Sequence, residues 1–223
     1  MARHTRCVFV TGGTGYLGRP LIIELLNRGH RVRALVRPGS EAKLPQGCEV
    51  VPGDALDGST YNQKIQPADT FVQLVGVPHP SPAKAALFRS VDLVSGRAAI
   101  KAAPGAGIQH FVYLSVAHPA PVMKAYIEVR AECETRLRES GMNATILRPW
   151  YVLGEGHRWP YVLIPMYWLF ERISLTRDGA RRLGLVTLEQ IKWALVHAIE
   201  NPCPGVRVLE VPQIRDSAAF LGL

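Results

Sequence analysis

The stretch VTGGTGYLGRP, residues 10–20, decides how the rest of the chain is read. It sets Gly12, Gly15 and Gly18 three residues apart. The apolar run CVFV (7–10) leads into it and LIIELL (21–26) leads out. The first run is a buried strand by composition. In the second segment Leu17, Leu21 and Leu25 recur at helical spacing and form one stripe. Glycines at a strand-to-helix turn have two uses. One is the tight turn alone. The other is a cradle in which the first glycine makes the turn and the next lets a pyrophosphate approach the backbone. The last then lets the helix pack closely on the sheet, while the helix N-terminus offers free N–H groups and a positive dipole. The strand–turn–helix context favours the cradle.

Working outward, short β-branched runs alternate with longer helical patterns. RVRALV (31–36), CEVVPGD (48–54), DTFVQLVG (69–76), HFVYLS (110–115) and NATILRP (143–149) read as further strands. PAKAALFRSVDLVSGRAAIKAA (82–103) reads as a helix stopping at Pro104–Gly105, and KAYIEVRAECETRLRES (124–140) as one closed by Gly141. This alternation predicts an α/β fold, a doubly wound parallel sheet covered by helices on both faces. After Pro149 the composition shifts: three of the four tryptophans fall between 150 and 170. Thr187 and Gln190 form a capping box ahead of IKWALVHAIE, Asn201–Pro202 ends that helix, and VRVLEV (206–211) reads as one more strand. We therefore expect a single domain over 1–223, a core over 1–149 and a small C-terminal elaboration over 150–223.

The bulk numbers fit a soluble globular protein: 223 residues, 48% hydrophobic and 20% charged. A net charge of +8 favours acidic ligands, but no nucleic-acid recognition motif accompanies it, so no nucleic-acid partner is expected. Cys7, Cys48, Cys133 and Cys203 lie far apart with no C-x-x-C pair. That suggests neither a metal site nor a disulfide framework, and it fits a reducing cytoplasm. No signal peptide or transmembrane segment is expected. The apolar run WPYVLIPMYWLF (159–170) is too short to span a bilayer and leaves peripheral membrane contact, a ligand pocket, a subunit interface or plain core open.

The spacing T-G-G-T-G-Y-L-G resembles the TGxxGxxG fingerprint of the short-chain dehydrogenase/reductase superfamily, especially its extended and atypical branches. VRALVRPGS, VVPGDALD, HFVYLSV and TILRPWYVLGEG resemble later segments of that family in order. The resemblance covers about residues 6–156 well. It implies a Rossmann-type fold whose dinucleotide rests on Thr11, Gly12, Gly13, Thr14, Gly15, Tyr16, Leu17 and Gly18. Asp54 would contact the adenine, and Leu74, Val75 and Gly76 would lie along the cofactor. NAD-preferring members hold the ribose diol with an acid at the end of the second strand. Here that place reads LVRPGS, with Arg37 and no carboxylate before Glu41. A guanidinium can hold the 2′-phosphate with two parallel bonds, so NADP(H) is expected over NAD(H), with Arg19 adding charge. Arg37 as an ordinary solvated loop residue is the plainer alternative.

The superfamily's Tyr-x-x-x-Lys motif reads here as Tyr126 and Arg130, four apart on a helix and pointing the same way. The resemblance implies Tyr126 as the acid/base, Arg130 as the cation holding the nicotinamide ribose, and Ser115 as the hydroxyl that orients substrate. Tyr126 also reads as an ordinary half-buried helix aromatic. The family's usual hydroxyl position falls on Val116. Lys124 projects elsewhere on the helix, and His118 and His157 are candidate proton carriers near the expected pocket. Two readings follow. One is an NADP(H)-dependent oxidoreductase or epimerase-like enzyme acting on an apolar small molecule, with oligomerisation through helices open. The other is a non-catalytic NADP(H)-binding sensor or assembly protein, similar to NmrA-like regulators and an accessory subunit of respiratory complex I.

Overall fold

A computed structural model describes residues 5–153 and 182–217. Seven strands form one parallel sheet: β1 (Cys7–Thr11), β2 (Arg31–Val36), β3 (Glu49–Pro52), β4 (Thr70–Gln73), β5 (His110–Leu114), β6 (Ala144–Leu147) and β9 (Val206–Leu209). Their order is β3-β2-β1-β4-β5-β6-β9. The chain thus winds outward from β1 in one direction and, after β4, in the other. The crevice at this reversal, outside the carboxyl ends of β1 and β4, is where such sheets take ligands.

The central strands β1, β4, β5 and β6 are buried on both faces, and their alternation sorts the core into two layers. Phe9, Phe71, Phe111 and Ile146 point to one face. Phe9 stands opposite Phe71 and Phe71 opposite Phe111 in register. The latter pair stacks at 5.0 Å with the rings 4° from parallel. Helices α3 (Val94–Gly105) and α4 (Lys124–Glu139) cover this face. Val8, Val10, Val72 and Val112 point to the other, where α1 (Gly18–Asn27) and α5 (Leu188–Glu200) lie. The Thr187–Gln190 capping box is formed: Gln190 N–H donates to Thr187 Oγ1 at 3.1 Å and Thr187 N–H to Gln190 Oε1 at 2.8 Å. A short helix, α6 (Val211–Arg215), follows β9.

Two departures from the sequence expectation stand out. Residues 82–105 do not form one regular helix. A 3₁₀ turn (Pro82–Lys84) and a three-residue α2 (Ala85–Leu87) lead into a π-helical segment, Phe88–Leu93, and only then into α3. Beyond β6 a separate two-stranded parallel pair joins β7 (Tyr151–Leu153) to β8 (Leu185–Thr187). Strands of three residues leave no periodic signal. The run 159–170 and His157 lie outside the described residues. No helix among the described residues is long and apolar enough to cross a membrane.

One buried ionisable group predicts a pH dependence. His110, at the start of β5, is 1% exposed and bonds Thr145 Oγ1 through Nε2 at 3.1 Å. Burial, reinforced by the charges of Arg207 and Arg6, pushes its pKa down from 6.5 to about 4. The unfolded chain therefore binds a proton that the folded chain refuses. Stability is full above 6.5 and falls as pH drops toward 4, by on the order of 2 kcal/mol. Urea midpoints measured at about pH 7 and about pH 4.5 should diverge in the native protein and draw together in His110→Gln.

Candidate dinucleotide site and catalytic face

At the end of β1 the chain turns sharply. Gly15 N–H donates to Gly12 O at 3.0 Å, and α1 begins at Gly18. Gly12 has φ +75°, and a Cβ there would stand 2.9 Å from Leu74 C and 3.0 Å from Val75 N. A Cβ on Gly18 would overlap Gly12 O and come within 2.7 Å of Gly13 Cα. Two of the three glycines are thus fixed by backbone approaching backbone. The third, Gly15, meets only Gly12 O, at 3.2 Å, and is exposed. No side chain caps α1 and no acid lies in its first turn. Arg19 N–H is taken by Gly15 O at 3.2 Å, Leu21 N–H by Leu17 O at 3.3 Å, and Pro20 has none. What the loop offers a pyrophosphate is the unopposed positive end of the helix and the bare, exposed backbone at Gly15.

The remaining cofactor candidates lie at the same carboxyl edge. Thr11 ends β1, but its hydroxyl turns inward, bonding the Gln73 side chain and Val72 O and so tying β1 to β4. Thr14 is half-buried, Tyr16 is exposed, and Leu17 packs against the core beside α1. Arg37 follows β2 and is exposed, and its carbonyl closes a turn with Ser40 N–H at 3.1 Å. Glu41 folds back on that turn and accepts Gly39 N–H at 3.0 Å. Asp54 follows β3; its N–H bonds Thr60 Oγ1 at 2.9 Å and its Oδ1 accepts Leu56 N–H at 3.0 Å. Leu74 and Val75 lie against Gly12, and Gly76 follows.

Helix α4 faces the sheet with charge. Tyr126, Arg130 and Glu134 recur every four residues and share one side of the helix. The Tyr126 ring is half-buried, 4.8 Å from the Phe88 ring, with Arg130 Cζ 5.2 Å from its centroid. The Arg130 side chain is 3% exposed. It donates to Asp92 Oδ1 at 2.5 Å and to Leu114 O at 2.9 Å, with Val75 O at 3.4 Å. The guanidinium of Arg130, the residue expected to hold the nicotinamide ribose, is turned into the protein onto these three acceptors. Ser115 is buried and donates its hydroxyl proton to Glu134 Oε1 at 2.6 Å.

Glu134 holds more than Ser115. Arg148, at the end of β6, donates Nε to Oε1 at 2.9 Å and a second N–H to Oε2, while Arg138 reaches Oε2 at 3.2 Å. His118 Nε2 lies 3.4 Å from Oε1, and Arg148 also bonds Glu210 at 2.8 Å. Burial alone would raise the Glu134 pKa, but the bonds from Arg148 and Ser115 overcome it and hold the carboxyl below the ordinary 4.5. Asp92, Glu134 and Arg148, which the sequence reading did not single out, complete the charged network beside Tyr126 and Ser115. The four-residue recurrence Tyr126, Arg130, Glu134, Arg138 was the signal that could have found the helix members. Lys124 opens α4 and is exposed.

A phosphate loop at the switch point of a parallel sheet, with a tyrosine helix beside it, defines a dinucleotide-binding Rossmann protein. Residues 12–177 match the NAD(P)H-binding family, and the chain belongs to it, as an atypical short-chain dehydrogenase/reductase. It is 30% identical over 208 residues to the ceramide reductase of Caulobacter vibrioides, covering 92% of this chain and 61% of that protein. It is 28% identical over 144 residues to the photosystem II assembly factor Ycf39 of Trieres chinensis, covering 63% and 44%. The chain therefore spans less than two thirds of either relative. In fold it is similar to the Bordetella bronchiseptica enzyme WbmH in complex with NAD+, with a TM-score of 0.68 at 22% identity over 93% of this chain and 76% of that one.

Proposed function

We propose that the protein is an NADP(H)-dependent oxidoreductase acting on an apolar carbonyl compound or the corresponding alcohol. The observation that carries this reading is Tyr126 on α4, backed by the buried guanidinium of Arg130 at 5.2 Å. The glycine cradle opens at the same carboxyl edge of the sheet. The dinucleotide, when bound, supplies or accepts the hydride. The loop from Gly12 to Gly18 holds its pyrophosphate by backbone amides, and Arg37 meets the 2′-phosphate. Tyr126 exchanges a proton with the substrate oxygen, facing a cation that does not itself lose a proton. Ser115, whose hydroxyl donates to Glu134, can accept a bond from the hydroxyl of the alcohol form of the substrate. An apolar substrate class is supported by the likeness to a ceramide reductase.

A second reading, a non-catalytic NADP(H)-binding assembly protein, draws on the likeness to Ycf39 and on arginine standing in place of the family's lysine.

The first test is a titration with NADPH and NADH followed by nicotinamide fluorescence. NADPH should bind the more tightly. Arg37→Asp should weaken NADPH by about tenfold, the loss of one charge-assisted contact, and leave NADH unchanged or tighter. A folded protein that binds neither dinucleotide would sink this reading.

A further inference from the structure

We propose that Asp92 is a positioning residue for the nicotinamide half of the dinucleotide, acting through Arg130; this rests on the dinucleotide reading above. Asp92 sits in the π-helical segment Phe88–Leu93 with its side chain fully buried. One carboxylate oxygen takes the Arg130 guanidinium at 2.5 Å, and the other accepts Val77 N–H at 3.1 Å. Arg130 in turn donates to Leu114 O and Val75 O. A single ion pair thus ties the segment after β4 (Val75, Val77) and the end of β5 (Leu114) to α4.

The fit is specific. A Cβ on Gly76 would overlap Arg130 Nη2 and stand 3.1 Å from Asp92 Oδ1, so the pair fills the space that glycine leaves. On its other side the same stretch meets the phosphate loop, since the Leu74–Val75 peptide lies about where a Gly12 Cβ would be. The Leu74–Gly76 backbone is therefore held between the pyrophosphate cradle and the Asp92–Arg130 clamp. In a sheet built of two mononucleotide-binding halves, β4 and β5 begin the second half, where the nicotinamide nucleotide lies. Three acceptors in different directions suit a planar fork and not the point charge of a lysine. The cation that the family uses to touch ribose works here through the backbone it fixes.

Asp92→Asn, Arg130→Lys and Gly76→Ala are to be titrated with NADPH and, separately, with 2′,5′-ADP, which carries only the adenine half. Each variant should lose about tenfold in NADPH affinity, a normal size for coupling through intervening structure, together with the nicotinamide fluorescence change. Affinity for 2′,5′-ADP should be unchanged. Equal weakening of both probes, or Asp92→Asn and Arg130→Lys both binding NADPH as the native protein does, overturns the proposal. The second outcome would mean that the Asp92–Arg130 pair does not set the nicotinamide site. If Asp92→Asn does not fold, Gly76→Ala keeps both charges, displaces the guanidinium and crowds the Asp92 carboxylate, and carries the same test. A native protein that binds neither probe overturns the dinucleotide reading itself, and this inference with it.

Discussion

Tyr126→Phe is expected to lower turnover of a reducible apolar carbonyl by about 10²–10⁴-fold, the range for removing a positioned proton donor. NADPH affinity should stay at the native value. The ring keeps its place because what holds it is apolar and electrostatic: Phe88 packs against it at 4.8 Å, and Arg130 lies over its face. Only the hydroxyl is lost, so the effect belongs in kcat and not in cofactor binding. The check is steady-state oxidation of NADPH across a panel of apolar ketones and aldehydes, with fluorescence titration of both proteins alongside. The same measurement separates the two functional readings. A non-catalytic NADP(H)-binding protein shows no turnover to lose, and Tyr126→Phe then leaves every measured property as it was.

How far the sequence carried depends on the range of the interaction concerned. The glycine loop was legible because its constraints are local: Gly12 and Gly18 face backbone a few residues away or on the adjoining strand. The central strands of the main sheet were legible because burial on both faces leaves continuous apolar runs, with Phe9, Phe71 and Phe111 at matching places in three of them. The capping box was legible for the same reason, three residues being enough to define it. Tyr126 and Arg130 could be placed on one helical face, but the partner of Arg130 could not. Asp92 lies 38 residues away, on a segment whose sequence reads as ordinary helix. Whether the charges on α4 meet solvent or protein was not legible, since burial of Arg130 and Glu134 is decided by what packs over them. The π-helical segment and the β7–β8 pair are set by tertiary contact in the same way.

Removing the Glu134 carboxylate should cost the fold the most. Glu134→Ala leaves Arg148, 14% exposed, with its Glu210 bond but without the partner that accepted two of its N–H groups, and it also strips Ser115 of its acceptor. Breaking a buried pair from one side costs about 3–5 kcal/mol when the surviving charge is left unpaired; Arg148 keeps Glu210, which sets the loss at the lower end of that range. The urea midpoint should drop accordingly with little change in m. Arg148→Met added to Glu134→Ala should cost much less than the two single losses summed, since the stranded cation is gone. Additive losses would show that the two residues are not energetically coupled. The acid limb gives an independent check. A carboxyl held below 4.5 in the folded state contributes stability that is complete above that value and is lost as pH falls through the lower, folded pKa. Below about pH 4.5 the native protein should lose stability more steeply than Glu134→Ala, whereas the slope that sets in below 6.5 comes from the buried His110 and the half-buried His197 and should persist in the variant. A Glu134→Ala protein as stable as the native one at neutral pH would mean that this charged network does not bind α4 to the strand ends. Ser115 would then have to be positioned by its backbone bond to Leu147 O alone.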